Sequence, residues 1–315
     1  MDDPIVYIPM DRRFALAGGY TLADRTQGAA LFVDISGFTA LTEALVRELG
    51  AQRGAEELTR YLNLVYDAII NELHRYRGSV IAFAGDAITC WIEGDMGLRA
   101  TACALAMQNA IQQFAAISTP AGSIVSLAMK AAVATGSVRR FLVGDPNKRV
   151  IDVLAGDTLV RLSNAEHQAQ RGEVVLDKPS LEALGDNVQL LEVRHDPDGQ
   201  QSVGVVQGMR YEVADAPWPS LDTSHLPDEQ VRVWLLPQVY ERLRQGLGNF
   251  LAELRPTVAL FVRFTGIDYD QDAEAGHKLD AYIRWVQDIV DLYEGTLIDL
   301  NIGDKGSYLY TNFGA

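Results

Sequence analysis

Two acidic residues, Asp34 in LFVDISGFTALTE and Asp86 in IAFAGDAITCWI, lie 52 positions apart and are the chain's candidates for chemistry. Asp34 closes the apolar run GAALFVDI (28–35), predicted to be a buried strand, and Ser36-Gly37-Phe38-Thr39 then opens a helical pattern. Asp86 sits near the tip of an apolar hairpin, where Gly85-Asp86 is ordinary turn chemistry. If the two strands are neighbours, the carboxylates meet at one sheet edge and repel each other. A hard divalent cation relieves that repulsion. Mg2+ takes one or two protein carboxylates and fills its other positions with water and phosphate oxygens. A pair of such ions is suited to the attacking and leaving oxygens of an in-line displacement. The N–H groups of Ser36, Gly37 and Phe38 would be free at the helix start, where a triphosphate can bind, and Gly37 permits a close backbone approach. An N-cap aspartate and a solvated turn aspartate that never meet would have the same spacing. Spacing alone leaves both readings open.

The elements that position the pair are read from periodicity. Between Glu56 and Tyr76, Leu58, Leu62, Val65, Ile69 and Leu73 recur every three or four positions, one face of a helix that Gly78 is predicted to stop. The hairpin follows, then a small-residue-rich helix over Met96–Ile117. Alternation at Val125, Leu127, Met129, Ala131 and Val133 predicts a half-buried strand. Further strands are predicted over Arg149–Leu154, Glu173–Leu176 and Gly204–Val213, with a helix entered through Gly156-Asp157-Thr158. Interleaved helices and strands with a hairpin among them indicate an α+β fold. The proline-rich, polar stretch APWPSLDTSHLPDEQ reads as a linker or an ordered wrap-around segment, and Pro237–Leu254 is helical in pattern.

The opening of the chain then recurs. LFVDISGFT at 31–39 is echoed by LFVRFTGID at 260–268, the helix over Leu279–Tyr293 ends at Gly295, and the hairpin-like GTLIDLNIGDKGSYLYTNFG follows. A repeat of whole-domain size predicts a pseudo-dimer. The boundaries read as an N-terminal segment (1–27), a first domain carrying the candidate site (28–215), a linker and helix (216–255), and the start of a divergent second copy (256–315). The second copy reads as truncated, so additional C-terminal domains are expected outside the chain.

Bulk properties exclude some classes. With 315 residues and 48% hydrophobic content the chain can bury more than one core. A formal net charge of −15 argues against nucleic acid as a partner, while metal ions can still neutralise a nucleotide triphosphate locally. Cys90 and Cys103, both in apolar runs, read as buried thiols in a reducing compartment. The N-terminus lacks the order of a signal peptide, and no apolar run approaches the roughly 20 residues of a membrane span, so no membrane insertion and a cytoplasmic location are expected.

LFVDISGFTALTE followed by FAGDA resembles the class III nucleotidyl cyclase domain, and the tandem arrangement with a divergent second copy most resembles soluble adenylyl cyclases. The resemblance runs from about Gly28 to the end. It implies a ferredoxin-like βαββαβ core, two unequal domains packed head to tail, and conversion of ATP to cyclic AMP and pyrophosphate at their interface. It also implies that Asp34, Asp86 and the Ile35 carbonyl hold two Mg2+ or Mn2+ ions. Ser36, Gly37, Phe38 and Thr39 would cradle the phosphates, with Gly85 beside them. Lys305, in Asp304-Lys305-Gly306, would contact the adenine ring: an ammonium donates, which suits adenine N1 and not the N1–H of guanine.

The sequence departs from that family in places. Arg263 stands where the second copy would need Asp34's counterpart, so one metal site per pair of domains is expected. In Gly156–Ala165, GDTLVRLSNA, Val160 and Asn164 replace the family's transition-state Asn and Arg, whose second-copy equivalents would lie past Ala315, so the chain is expected to lack part of the active site. Ala82 replaces the lysine used for bicarbonate activation, so that regulation is not carried over. The alternatives are a catalytically inactive nucleotide-binding module of a larger signalling protein and a guanylyl cyclase. A cyclic dinucleotide synthase is disfavoured because Phe83-Ala84-Gly85-Asp86 lacks that class's Gly-Gly-acidic-acidic-Phe hairpin.

Overall fold

The computed structural model describes residues 3–195, 202–246, 256–303 and 306–314. In chain order the elements begin with α1 (Met10–Gly18), β1 (Arg25–Ser36), α2 (Phe38–Leu49), α3 (Ala51–Arg75), β2 (Ser79–Ala84), β3 (Ala87–Glu93) and α4 (Leu98–Ile111). There follow β4 (Ile117–Ser118), β5 (Ile124–Val125), β6 (Ala128–Val143), β7 (Ile151–Ala155), α5 (Asp157–Gln168), β8 (Val174–Asp177) and α6 (Lys178–Leu184). Then come β9 (Val188–His195), β10 (Ser202–Met209), α7 (Asp228–Arg232), α8 (Pro237–Arg244), β11 (Val258–Phe264), α9 (Ala275–Leu292), β12 (Gly295–Gly303) and β13 (Gly306–Phe313). The fold is mixed α+β. No helix among the described residues is long and apolar enough to cross a membrane.

The chain divides into two compact units, a larger one of Gln27–Ser137 with Thr158–Pro219 and a smaller one of Met1–Thr26, Val138–Asp157 and Ser220–Ala315. In the larger unit the strands lie in the order β2-β3-β1-β6-β8-β10-β9. Val33 and Ile35 of β1, Ile88 and Cys90 of β3, and Met129 and Val133 of β6 turn one sheet face inward, because side chains alternate along a strand. Against them pack Leu41 and Leu45 of α2, Val65, Ile69 and Leu73 of α3, and Cys103 and Met107 of α4. Each such side chain contributes about 1.5–3 kcal/mol when fully buried. Burial also pushes the Cys90 and Cys103 thiols well above their ordinary pKa, which leaves both protonated and inert.

Several boundaries differ from the periodicity reading for physical reasons. The helical run after Ser36 breaks at Gly50 into α2 and α3, which cross so closely that a Cβ at Gly54 would come within 2.9 Å of Val46 Cα. The residue that reverses the chain after α3 is Arg77, at φ 59°; Gly78 is needed because a Cβ there would meet Leu73 Cδ1 at 2.3 Å. β6 runs ten residues beyond Val133, since Arg139 and Arg140, which look like a polar stop, are both buried. The proline-rich stretch is an ordered wrap-around segment: the Ala216 amide bonds the Arg75 carbonyl at 3.0 Å and Trp218 Nε1 donates to the Gly78 carbonyl at 2.8 Å. The helix predicted over Pro237–Leu254 is observed as α8, and residues 247–255 lie outside the described residues.

In the smaller unit, β11, β13 and β12 form a sheet in that order, the same arrangement as β1, β3 and β2. Even the helix exit is repeated, with Glu294 at φ 55° before Gly295 as Arg77 precedes Gly78. Leu279, Ile283, Leu297 and Leu309 pack on Phe141, Val143, Ile151 and Val153 from the second half of β6 and from β7. β11 has β13 on one side and no second neighbour among the described strands, so Val258, Leu260 and Phe261 stay exposed where their β1 counterparts are largely buried.

Candidate active site

β1 and β3 are antiparallel neighbours, with Asp34 opposite Ala87. β2 and β3 form the hairpin, closing on the pair Ala84–Ala87, so Gly85 and Asp86 are its two-residue turn. The Ile35 amide donates to the Asp86 carbonyl at 3.2 Å and fastens that turn to the end of β1. The two aspartates expected from the sequence therefore lie at the same end of neighbouring strands, near enough for the Asp86 charge to act on Asp34. Burial raises the Asp34 pKa above its ordinary value, and the charges of Asp86 and Glu166 add to that rise while Lys130 opposes it.

The turn after Asp34 is built for close approach. Gly37 caps α2 at φ 109°, and a Cβ there would stand 2.5 Å from the Ser126 carbonyl oxygen. No side chain caps α2, so the backbone N–H groups of its first turn are not taken up by one. Ser36 Oγ donates to the Ala128 carbonyl at 3.2 Å, Phe38 is buried and Thr39 is exposed. Gly37→Ala is expected to destabilise the protein by about 2 kcal/mol or more, because both the backbone region and the space are wrong for a side chain. Urea unfolding measures this, and an unchanged midpoint contradicts it.

Three residues not anticipated from the sequence complete the neighbourhood. Lys130 of β6 places Nζ 3.6 Å from Asp34 Oδ2 and 2.5 Å from Glu166 Oε1 of α5. Burial works against its charge, but Glu166 and Asp34 outweigh burial and hold its pKa above the usual lysine value. Tyr66 of α3 donates its hydroxyl to the Gly85 carbonyl at 3.3 Å and packs edge-on against Phe83, the ring centroids 5.3 Å apart. Its pKa is pushed up to about 12, first by burial and then by the charges of Asp86 and Asp34.

The donor set decides which ion would fit. Among the described residues no group of three His, Cys, Asp or Glu side chains is placed to hold a metal. Two adjacent carboxylates, one of them already burdened by its neighbour's charge, match what Mg2+ or Mn2+ asks of a protein when phosphate and water complete the shell.

Other expected residues fall elsewhere. Lys305 and Asp304 lie outside the described residues, between the end of β12 and the start of β13. Arg263 of β11 pairs with Tyr308, two positions beyond Gly306, whereas Asp34 pairs with the first residue after its turn; the second hairpin thus runs two residues further past the strand end.

By sequence the chain is similar to proteins named as adenylate cyclases. Its relatives carry the name adenylate cyclase type 10: it is 25% identical to the human protein over 324 residues, 92% of this chain and 19% of that protein. The rabbit protein of the same name is 23% identical over 323 residues, again 92% of this chain and 19% of that one. The chain thus spans about a fifth of the length of these relatives. Among solved structures it is similar to the guanylyl cyclase Cya2 (TM-score 0.49, 23% identity, 62% of this chain and 100% of that one). It is similar also to the adenylyl cyclase CyaB from P. aeruginosa (TM-score 0.44, 22% identity, 59% and 96%). No protein-family profile matches the chain.

Proposed function

We propose that this chain is the catalytic region of an adenylyl cyclase, in which the ribose 3′-hydroxyl of ATP attacks the α-phosphorus and pyrophosphate leaves. The observation that supports the reading is the opposition of Asp34 and Ala87, the residue that follows Asp86, just before the N-terminal end of α2. Relatives named adenylate cyclase over nearly the whole chain support the choice of reaction and of ATP. The element order β1–α2/α3–β2–β3–α4–β6, with strands lying β2-β3-β1-β6, supports a ferredoxin-like core for the domain read over 28–215. The matching order of β11, β13 and β12 supports a divergent second copy over 256–315, the two copies making a pseudo-dimer.

Asp34, Asp86 and the Ile35 carbonyl are the groups that would hold two Mg2+ or Mn2+ ions. When bound, these ions supply neutralisation of the triphosphate and a lowered pKa for the 3′-hydroxyl. The chain's own residues bind and orient. The Ser36–Thr39 turn offers N–H groups to phosphate oxygens at a helix start. Gly85 lets the nucleotide pass close to the hairpin tip, and Lys130 adds a positive charge next to Asp34. Lys305 is proposed to donate to adenine N1.

The test is product formation with Mn2+ in the full-length protein, which carries the remainder of the second copy, using ATP and GTP as rival substrates. Cyclic AMP from ATP is expected. ATP bound without turnover would favour the inactive regulatory module instead. Lys305→Glu is expected to lower the ATP-to-GTP preference on the order of tenfold, the loss of one charge-assisted hydrogen bond. An unchanged ratio removes Lys305 from base recognition.

A further inference from the structure

Lys130 is shared unequally between two carboxylates. Its Nζ is 2.5 Å from Glu166 Oε1, a direct charge-assisted bond, and 3.6 Å from Asp34 Oδ2, beyond hydrogen-bond reach. The two partners come from different elements: β6 carries Lys130, and α5 carries Glu166 to it. Glu166 is the more buried of the two, its side chain 15% exposed against 30% for Asp34, so the closer bond is also the less screened one. His167 Nε2 lies 3.6 Å from the other Glu166 oxygen and leaves Oε1 to the lysine.

We propose that Glu166 is a positioning residue: it draws the Lys130 ammonium away from Asp34 and so keeps the carboxylate pair open to a divalent cation. The inference rests on Asp34 and Asp86 being the metal-binding pair. Lys130 and a metal ion compete for the same carboxylate, since two cations a few ångströms apart repel. Whatever holds the ammonium back strengthens metal binding, and whatever removes the ammonium strengthens it further. Glu166 would act through Lys130 and not as a ligand.

The experiment measures Mn2+ affinity without nucleotide, by electron paramagnetic resonance of the free ion, on the 315-residue chain. Circular dichroism checks that each variant is folded. Lys130→Met is expected to tighten Mn2+ binding about tenfold, the effect of removing one nearby, partly screened charge. Lys130→Arg, which keeps the charge, is expected to stay near wild type. Glu166→Gln is expected to weaken binding by a similar factor, because the ammonium is released onto Asp34. The double variant Lys130→Met with Glu166→Gln is expected to match Lys130→Met alone. A double variant that binds more weakly than Lys130→Met means that Glu166 acts through its own charge, which overturns the positioning role. Unchanged affinity in Lys130→Met overturns the competition. If Asp34→Asn binds Mn2+ as well as wild type, the metal-site reading itself fails, an outcome distinct from either of these.

Discussion

Asp34→Asn and Asp86→Asn, made in the full-length protein, are each expected to lower cyclic AMP formation by about a hundred- to a thousandfold, the scale on which loss of one preorganised electrostatic contact acts on a transition state. The amide keeps the shape of the side chain and removes the charge, so the loss reports on ion binding and not on packing. Stability is expected to move the other way or not at all. Asp34 is partly buried and carries a raised pKa, first from burial and then from Asp86. Neutralising it relieves that repulsion, and Lys130 keeps Glu166 as its closer partner. A variant that is dead yet at least as resistant to urea as wild type is the signature of a site built at some cost in stability. Wild-type-like turnover in either variant would remove the carboxylate pair from the mechanism, and a drop in activity matched by unfolding would assign the residue to structure.

The pairing behind this expectation was legible because its parts are local. GAALFVDI reads as a strand that ends on Asp34, and a two-residue turn at Gly85-Asp86 can put its carboxylate only at the hairpin tip. One assumption remained, that β1 and β3 are neighbours, and the structure bears it out. Lys130 was harder. Met129 and Ala131 point into the core, so Lys130 must lie on the opposite sheet face, the face that Asp34 occupies between Val33 and Ile35. That argument becomes available only once β6 is known to lie beside β1, an adjacency made across nearly a hundred residues. Glu166 carries no signal at all, since an acid on the third turn of a helix is ordinarily solvated. Tyr66 shares a helix face with Leu62, Ile69 and Leu73, so its burial could have been read from spacing; its bond to Gly85 could not.

The repeat shows the same division. Its shared strand order was foreseeable from LFVDISGFT and LFVRFTGID, but the two extra residues by which the second hairpin outruns β11 are a matter of register, which no short motif states. The length of β6 was hidden for another reason. Arg139 and Arg140 look like the polar end of a strand, and their partners lie far off: Asp24 binds Arg139 through two bonds, of 2.7 and 2.5 Å, and Asp11 and Asp152 flank Arg140. Burial of two adjacent arginines depends on acids from the N-terminal segment and from β7.

That buried cluster carries the largest stability prediction. Asp152 accepts from Arg12 Nε at 3.0 Å and Nη2 at 2.9 Å, and from Arg140 Nε at 3.0 Å, while Asp11 takes the other side of Arg140. Asp11 and Arg12 belong to α1, and Arg140 and Asp152 to β6 and β7, so four charges tie the N-terminal helix to the paired strands within the smaller unit. Burial alone would raise the Asp152 carboxyl, but Arg140 and Arg12 overcome it and hold its pKa at about 2. Asp152→Ala would strand Arg12 without a counter-charge and leave Arg140 with Asp11 alone, and is expected to destabilise this unit by about 3–5 kcal/mol, the cost of an uncompensated buried charge. Replacing Arg12 and Asp152 together with apolar residues is expected to recover much of the loss, because an absent ion pair costs less than half of one. The pH dependence has a definite sign. A carboxyl whose pKa is lower in the folded state than in the unfolded chain stabilises the fold above its ordinary pKa near 4, and loses that contribution as pH falls toward 2. Urea midpoints between pH 6 and pH 2.5 should therefore fall more steeply for wild type than for the doubly substituted protein, and parallel curves would show that the cluster's charges contribute nothing to folding.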